Sequence, residues 1–271
     1  HVGFIGSAVN TTFDQVALVG TVKGNDHVAV LAGDGDNVTV NNSYVDGEVY
    51  AYSQVGGFFG CTLTGGATVT NSYFNGELHA YTRGWVAGVV GLIDQTSADG
   101  STVTVESCAS LGNCKSYGDG SPHVAAPFIG GNRAGGDNAS DWNIIFFHDN
   151  IYNLEAEMQG DTDWPINRET NDGGDVQFAE GLPLSNLQQA APYQNIGWDF
   201  NDVWEMGTAE YKFPVLKNST LKNPNLILGI NDVNAAADIM SGKAFNVMGQ
   251  QVNAEAARGI IIVNGRKFIA K

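Results

Sequence analysis

Acidic residues are the first candidates for chemistry in this chain. Clustered carboxylates bind Ca²⁺ beside a Lys or Arg base in polysaccharide lyases, or serve as an acid–base pair in hydrolases. An elimination needs a base beside a charge-neutralising group, and Lys and Arg are scarce near the acidic positions. We therefore expect solvated turn acids, with no catalytic and no metal-binding residue. The acidic groups are Asp34, Asp36 and Asp46, and then Asp137, Asp141 and Asp149 with the neighbouring His148.

Motif searches give no sign of cofactor chemistry. The chain has no P-loop, no dinucleotide fingerprint, and no His-Glu-x-x-His or Cys-x-x-Cys pattern. Ser140, His148 and Asp149 are the types of a catalytic triad, but the Gly-x-Ser-x-Gly elbow that presents such a serine is absent. We therefore expect no cofactor and treat this grouping as coincidental.

Aromatic residues at or near predicted turns are the candidates for ligand binding. They are Tyr81, Trp85, Tyr117, Trp142 and Trp164. An exposed ring offers a flat apolar face to a sugar, and neighbouring amides and carboxylates can bind its hydroxyl groups. The alternative role is packing, because large aromatic side chains dominate the cores of folded proteins. We take the five rings as the predicted ligand-binding residues.

A short apolar block that ends in Gly recurs five times, and the repeats that it marks must position the candidates that precede residue 130. A second block, best seen as Asn-Ser-Tyr followed by Gly-Glu, advances with the first. Two blocks that advance together at ~20–50 residues per step are typical of a stacked repeat, in which each unit buries its apolar face on its neighbours. The last glycines of the first block lie 27, 27, 31 and 39 residues apart, at Gly6, Gly33, Gly60, Gly91 and Gly130.

The repeats predict an all-β fold. Within each one, β-branched and aromatic residues alternate with polar ones and are bounded by Gly, Asn or Asp, which is typical of half-buried strands. We predict a right-handed parallel β-helix (a solenoid) over roughly the first 150 residues, with about 27–31 residues per coil. Phe59 would stack on Val90 and Tyr44 on Tyr73, with these side chains facing inward. The alternatives are an antiparallel sandwich and a propeller.

The repeat pattern weakens after residue 130. Aromatic residues from Trp198 to Leu216 are expected to cap the open end of the stack, because a terminal coil exposes an apolar face and unpaired strand edges. A linker rich in Asn, Ser and Pro follows. The last residues form a small β module, in which Asn264-Gly265 predicts a hairpin turn. The predicted domains are residues 1–217 (repeats and cap), 218–235 (linker) and 236–271 (C-terminal module).

The composition excludes two classes of partner. The 271 residues include 13 Lys and Arg against 29 Asp and Glu, a formal net charge of −16. A surface of this sign repels phosphate backbones and anionic lipids, so we expect no nucleic-acid partner. No stretch reaches the ~20 apolar residues of a membrane helix, and we expect no membrane insertion. The oligomeric state stays open.

Two further expectations concern the cysteines and the start of the chain. Cys61, Cys108 and Cys114 are too few for a disulfide framework, so we expect buried free thiols. The chain opens at His1 inside the first repeat, without an initiator Met or a signal peptide. We expect a mature protein or one whose upstream part has been removed.

Several motifs in residues 1–217 occur in a fixed order. Gly57-Phe58-Phe59-Gly60 leads to the run from Val69 to Gly76, with counterparts at 30–49, and a closing run extends from Trp198-Asp199-Phe200 to Lys217. This series resembles the GLUG-repeat proteins of bacterial cell surfaces. Phe-Phe, Val-Val or Phe-Ile stands where the usual copies carry Leu-Val, so the repeats are divergent. The resemblance implies an extracellular, adhesin-like or substrate-binding protein and supplies no catalytic residue.

The C-terminal residues carry a second resemblance. The run from Asn246 to Val252 and the run from Gly259 to Lys267 are similar to the C-terminal module of many secreted proteins of Gram-negative gut and oral bacteria. In some of those bacteria a related tail directs export and surface attachment.

Together these observations predict the location and function of the protein. We expect a secreted or cell-surface protein of a Gram-negative bacterium. It would be a non-enzymatic, adhesin-like binding protein whose ligand is a glycan or a host glycoprotein. Two alternatives stay open. One is a β-helix polysaccharide lyase or hydrolase, and the other is a structural stalk that presents an upstream domain.

Overall fold

A computed structural model provides the structure of the chain. It divides the chain into two compact units, His1–Asn225 and Leu226–Lys271. The described residues are mostly in strands, and no helix among them is long and apolar enough to cross a membrane. The predicted domain boundaries at residues 217 and 236 stay a prediction. The structure describes residues 1–82, 84–95, 97–118, 123–132, 144–161, 175–176, 179–221, 244–246, 251–252, 259–263 and 266–270.

The described part of unit 1 contains 23 strands, two short α-helices and one 3₁₀ turn at Ser97–Asp99. The strands are β1 Ile5–Asp14, β2 Ala17–Lys23, β3 Val28–Ala29, β4 Ala32–Asn41, β5 Tyr44–Ala51, β6 Val55–Gly56, β7 Phe59–Thr62, β8 Ala67–Thr70, β9 Tyr73–Ala80, β10 Gly84–Ala87, β11 Val90–Ile93, β12 Val103–Glu106, β13 Ala109–Ser110, β14 Asn113–Ser116, β15 His123–Ala126, β16 Ile129–Asn132, β17 Ile145–His148, β18 Ile151–Asn153, β19 Met158–Gln159, β20 Asp175–Val176, β21 Glu180–Leu182, β22 Trp204–Met206 and β23 Pro214–Leu216. The helices are α1 Leu184–Leu187 and α2 Ala190–Asn195.

Strands β1 to β21 form three parallel sheets that curl around one core. In the first sheet the order is β16-β11-β7-β4-β8-β12-β17-β20, and β1 pairs with β4. The second sheet is β15-β10-β6-β3. The third sheet is β19-β14-β9-β13-β18-β21, to which β5 and then β2 are added beside β9. Strands from successive repeats are therefore neighbours, as a stacked repeat requires.

The strand register agrees with the repeat spacing. Ile5 pairs with Ala32, 27 residues later in the chain. The predicted pairs Phe59–Val90 and Tyr44–Tyr73 are both present, in parallel strands. Because the pairs join equivalent positions of neighbouring repeats, this part of the prediction is confirmed.

The interior is filled by side chains from all three sheets. Val45, Val49, Phe59, Val69 and Val90 are among the fully buried members of one apolar cluster, which we call the inner core. On each strand they alternate with residues that point the other way, because successive side chains of a strand lie on opposite faces. Burial of these apolar side chains between neighbouring repeats is what holds the stack together.

The structure corrects the predicted direction of Tyr44 and Tyr73. Both are fully buried, but they belong to a second apolar cluster, the outer cluster, rather than to the inner core. The physical reason is the alternation of strand faces: Val45 points into the core, so Tyr44 points outward. The two tyrosine rings stack with centroids 5.0 Å apart and planes 7° apart.

A layer formed by residues 184–216 covers these tyrosines, and we call it the lateral layer. It comprises α1, α2, β22 and β23, and it brings Trp198 and Trp204 against Tyr73 at 6.1 Å between ring centroids. The Trp198 indole N–H donates a hydrogen bond to the Ser107 carbonyl at 2.7 Å. The expectation that these aromatics cap the open end is therefore corrected: they lie along the side of the stack, because the outward tyrosines leave an apolar stripe there.

A chain of buried hydrogen bonds fixes the lateral layer to the third sheet. The Tyr73 hydroxyl donates to the Pro214 carbonyl at 2.6 Å and lies 2.9 Å from the Tyr211 hydroxyl. The Tyr211 hydroxyl donates to Asp46 Oδ2 at 2.7 Å, and Asn75 donates to the same oxygen at 2.8 Å. Burial raises the pKa of Tyr73 and of Tyr211 well above the ordinary value. Both hydroxyls therefore stay protonated and keep donating.

The three cysteines are buried free thiols, as expected. Cys108 and Cys114 lie in the inner core. Burial raises the pKa of the Cys108 thiol to about 12 and raises that of Cys114 as well. Since the thiolate is the reactive species, these two cysteines are packing residues.

Unit 2 contains an antiparallel sheet. Its described strands are β24 Ala244–Asn246, β25 Gln251–Val252, β26 Gly259–Val263 and β27 Arg266–Ala270, in the order β25-β24-β26-β27. Val263 pairs with Arg266 in antiparallel register, as the predicted hairpin requires. The two residues of the predicted turn lie outside the described part of the chain.

Candidate functional site

Two of the five predicted ligand-binding residues come together on the surface of unit 1. Tyr81 and Tyr117 are 53% and 41% exposed, and their ring centroids lie 5.5 Å apart with planes 13° apart. Trp142 and Trp164 lie outside the described residues. Trp85 lies in β10 of the second sheet, and no described ring contact joins it to Tyr81 or Tyr117.

Trp85 is packed against the backbone of the next repeat. A Cβ atom built on Gly131 would overlap the Trp85 indole, and one on Gly130 would crowd its Cβ. The indole therefore occupies space that two glycines leave open. A ligand-binding role for Trp85 stays a prediction, and its observed contacts are those of a half-buried packing residue.

Tyr81 and Tyr117 belong to a larger group of parallel rings, which we call the ring column: Tyr50, His79, Tyr81 and Tyr117. Tyr50 and His79 stack most closely, with centroids 4.7 Å apart and planes 2° apart. Tyr117 lies over both His79 and Tyr81, at 5.8 Å and 5.5 Å. Parallel offset stacking at these separations is favourable for aromatic rings.

The parallel register of the third sheet builds the ring column. Tyr50 of β5 pairs with His79 of β9, and His79 pairs with Lys115 of β14. Tyr81 and Tyr117 follow the ends of their strands, where their N–H groups bind the carbonyls of Ala51 and Ala80 at 3.0 Å and 2.8 Å. Backbone hydrogen bonds thus fix the spacing between three neighbouring strands, of which the first carries Tyr50, the second carries His79 and leads to Tyr81, and the third leads to Tyr117.

The rings of the column differ in how much of their surface reaches solvent. His79 is 7% exposed, whereas Tyr81 is 53% exposed. Tyr50 covers one side of His79 and Tyr117 lies over the other. The ring surface open to a ligand is therefore mainly that of Tyr81 and Tyr117.

Charged side chains surround the ring column. The Tyr50 hydroxyl donates to Glu48 at 2.9 Å, and this hydrogen bond raises the pKa of Tyr50. Glu77 contacts His79 Nε2 at 3.2 Å. Lys115 lies 3.6 Å from Glu77 and 2.9 Å from Glu157, and its hydrogen bond to Glu157 raises the pKa of the ammonium group.

His79 is held as a neutral ring in this setting. Burial lowers the pKa of His79, and the charge of Glu77 opposes the shift only in part. Its Nδ1 lies 3.0 Å from the Tyr117 hydroxyl. At neutral pH the ring column therefore consists of uncharged rings with a rim of carboxylates and two lysines. One is Lys115, and the other is Lys23, whose Nζ lies 5.2 Å from the centroid of the Tyr50 ring. Such an arrangement can stack on an apolar face and bind hydroxyl groups.

Sequence reasoning found the exposed half of the column and missed the rest. Tyr50 and His79 lie 29 residues apart, the same interval as Tyr44 and Tyr73. Extending the repeat alignment by six residues past Tyr44 would have identified them. Lys115 gave no such signal, because the loop lengths change between the third and fourth repeats.

The acidic candidates do not form a catalytic group in the described structure, and two of them are not solvated. Asp34 is 4% exposed and contacts two histidine rings. Asp46 is half-buried beneath the lateral layer. The expectation of solvated turn acids is corrected for both, because each carboxylate has polar partners that compensate for lost water.

The remaining acidic candidates differ in their setting. Asp36 accepts a hydrogen bond from the Gly65 N–H at 2.6 Å. Asp149 is exposed and His148 is partly buried. Asp137, Asp141 and Ser140 lie outside the described residues.

One cluster could hold a metal ion. His1 Nδ1 contacts Asp34 Oδ2, and His27 Nδ1 lies 2.7 Å from Asp34 Oδ1. The three potential ligand atoms all lie within 4.8 Å of one another. The histidines are far apart in the sequence, and the isolated bridge between Val2 and Val28 is what places them side by side.

Comparison of the chain with protein-family models, with curated proteins and with solved structures gave no match.

Proposed function

We propose that this protein is a non-enzymatic, extracellular binding protein whose ligand is a glycan or a host glycoprotein. The observation that carries the proposal is the ring column, in which Tyr81 and Tyr117 present parallel and partly exposed rings. Glu48, Glu77 and Lys115 lie beside the rings and could bind sugar hydroxyl groups.

We propose that the three curled parallel sheets are the faces of a right-handed β-helix, since nearly all parallel crossover connections are right-handed. The resemblance to GLUG-repeat proteins supports a place on the bacterial surface or in the secreted fraction. The resemblance of the C-terminal residues supports export from a Gram-negative cell.

A glycan array combined with a reducing-sugar assay tests this function. We expect specific binding to one class of glycan without release of product. Release of reducing sugar would instead support the polysaccharide lyase or hydrolase alternative. Absence of both glycan binding and product release would support the structural stalk.

Variants of the ring column give the sharper test. We expect Tyr81→Ala and Tyr117→Ala each to weaken glycan binding about tenfold, which corresponds to ~1.4 kcal/mol, with little change in the unfolding midpoint. Phe146→Ala is the matched control, because Phe146 is 38% exposed on the first sheet, away from the column. Equal affinity in the wild type and both tyrosine variants would remove the ring column as the ligand site.

A further inference from the structure

We propose that His1, His27 and Asp34 form a binding site for a divalent transition-metal ion of the zinc class. The Nδ1 atoms of both histidines face the two oxygens of a single carboxylate. All three potential ligand groups converge within 4.8 Å. This inference concerns the edge of the first repeats and does not depend on the ring column.

The donor set suits zinc. Imidazole nitrogen and carboxylate oxygen bind Zn²⁺ at about 2.0–2.2 Å, and sites with three protein ligands keep the fourth position for water or another molecule. The side chain of Asp34 is 6% exposed and that of His27 is 15% exposed, whereas that of His1 is 55% exposed. The site is therefore anchored in the fold on one side and open to solvent on the other.

The site is particular to the first repeats. In the next repeat, Gln54 takes the position of His27, because Val28 pairs with Val55. Cys61 takes the position of Asp34, with which it pairs directly. The stacking of the backbone therefore requires neither histidine nor aspartate at these positions. His27 and Gln54 even share the same unusual backbone, with φ of 49° and 40°.

Charge favours a cation at this place. The chain carries a formal net charge of −16, and a summed field of this sign raises the local concentration of cations. Without a metal, the same geometry would be two imidazole N–H groups donating to one carboxylate. A metal titration separates these two interpretations.

The test is calorimetric titration of the full chain with Zn²⁺ after treatment with a chelator. We expect one ion per chain and reversal by chelator. Asp34→Asn and His27→Gln are each expected to weaken binding by at least about tenfold, because loss of a group that only orients a metal ligand already costs about 10–100-fold. His123→Gln is the matched control, because the His123 ring lies 3.1 Å from the Ser116 hydroxyl and does not belong to the His1–His27–Asp34 cluster.

The visible absorption of Co²⁺ bound to the same chain supplies a second readout of coordination. The variant His27→Gln is expected to fold, because glutamine already occupies the equivalent backbone position at residue 54. Circular dichroism checks that each variant folds. Absence of Zn²⁺ binding to the wild type, or full binding by His27→Gln, would overturn the proposal.

Discussion

At the scale of single residues, Asp46 shows how the lateral layer changes the chemistry of a carboxylate. Burial raises the pKa of Asp46, and the hydrogen bonds from Asn75 and Tyr211 oppose the shift only in part. Both hydrogen bonds reach the same oxygen, Oδ2. The carboxylate thus joins the layer to the third sheet, although its partial burial destabilises the charged form.

This raised pKa gives a prediction for stability against pH. Between the pKa of Asp46 in the unfolded chain and its raised pKa in the folded chain, the folded state binds more protons. The free energy of unfolding therefore decreases as pH rises through that interval, and this contribution is fully present only below it. We expect Asp46→Asn to remove this part of the pH dependence, as measured by urea unfolding across the acidic range.

Asp14→Asn is the control for this prediction. Asp14 is an exposed carboxylate that also accepts hydrogen bonds from two side-chain amides, those of Asn41 and Asn42. This variant measures the effect of replacing an exposed carboxylate that accepts amide hydrogen bonds, and the effect of Asp46→Asn is compared with it. An unchanged slope in Asp46→Asn would show that Asp46 makes no such contribution.

At the same scale, residue type alone was enough to predict some residues of the candidate sites. The others could be predicted only from the register in which the strands pair. Tyr81 and Tyr117 were predicted because aromatic residues near turns are conspicuous. His79 was missed because a histidine in an alternating strand gives no sign of the rings that stack on it from neighbouring repeats. The His1–His27–Asp34 cluster was missed for a similar reason, since only the pairing of distant segments brings those residues together.

At the scale of elements, glycine controls how closely the strands of the third sheet stack. Gly20, Gly47 and Gly76 occupy one row of paired positions. A Cβ atom on Gly76 would overlap the Gly47 carbonyl, and Gly76 has a φ of 116°. A Cβ on Gly47 would in turn overlap the Gly20 carbonyl. The close approach of these strands therefore depends on the missing side chains.

Substitution of these glycines tests the stacking. We expect Gly76→Ala to lower the free energy of unfolding by at least about 2 kcal/mol, because it adds both a backbone clash and an unfavourable φ. Gly20→Ala is the matched control, because nothing lies within 4 Å of a Cβ there. It should change stability by about 0.5 kcal/mol or less. Urea unfolding measures both, and equal effects would contradict the stacking argument.

The sequence could predict strands, their parallel order and their register, because each repeat carries the same short motifs. It could not predict whether the Tyr44 side chain on β5 points into the core or away from it. Tyrosine is large and apolar enough for a core, and the alternation of Tyr44 and Val45 fits either direction. The direction is decided by the lateral layer, which lies more than a hundred residues away in the chain.

At the scale of the whole molecule, the lateral layer joins repeats that otherwise contact only their neighbours. It contacts Tyr44 and Tyr73 in successive repeats, and Ala109 and Ile151 in later ones. A simple stack of repeats can unfold from its ends. A layer that crosses several repeats couples them, so unit 1 is expected to unfold as one cooperative body.

Truncation tests this coupling and the independence of unit 1. A fragment of residues 1–225 should retain the cooperative unfolding transition that belongs to unit 1 in the full chain. A fragment of residues 1–181, which lacks the lateral layer, should unfold less cooperatively and at lower denaturant concentration. Circular dichroism during urea unfolding distinguishes these outcomes. A fragment 1–225 that does not fold would show that unit 1 depends on the C-terminal residues.

The separation between the lateral layer and the strands that it covers also sets an order in time. The Tyr73 hydroxyl and the Pro214 carbonyl that it binds are 141 residues apart in the chain. At ~5–20 residues per second on the ribosome, the wait between their synthesis is on the order of ten seconds. During that interval the outward tyrosines lack the layer that covers them in the folded protein. The lateral layer, which is translated after the strands that it covers, is therefore what ends the exposure of these tyrosines.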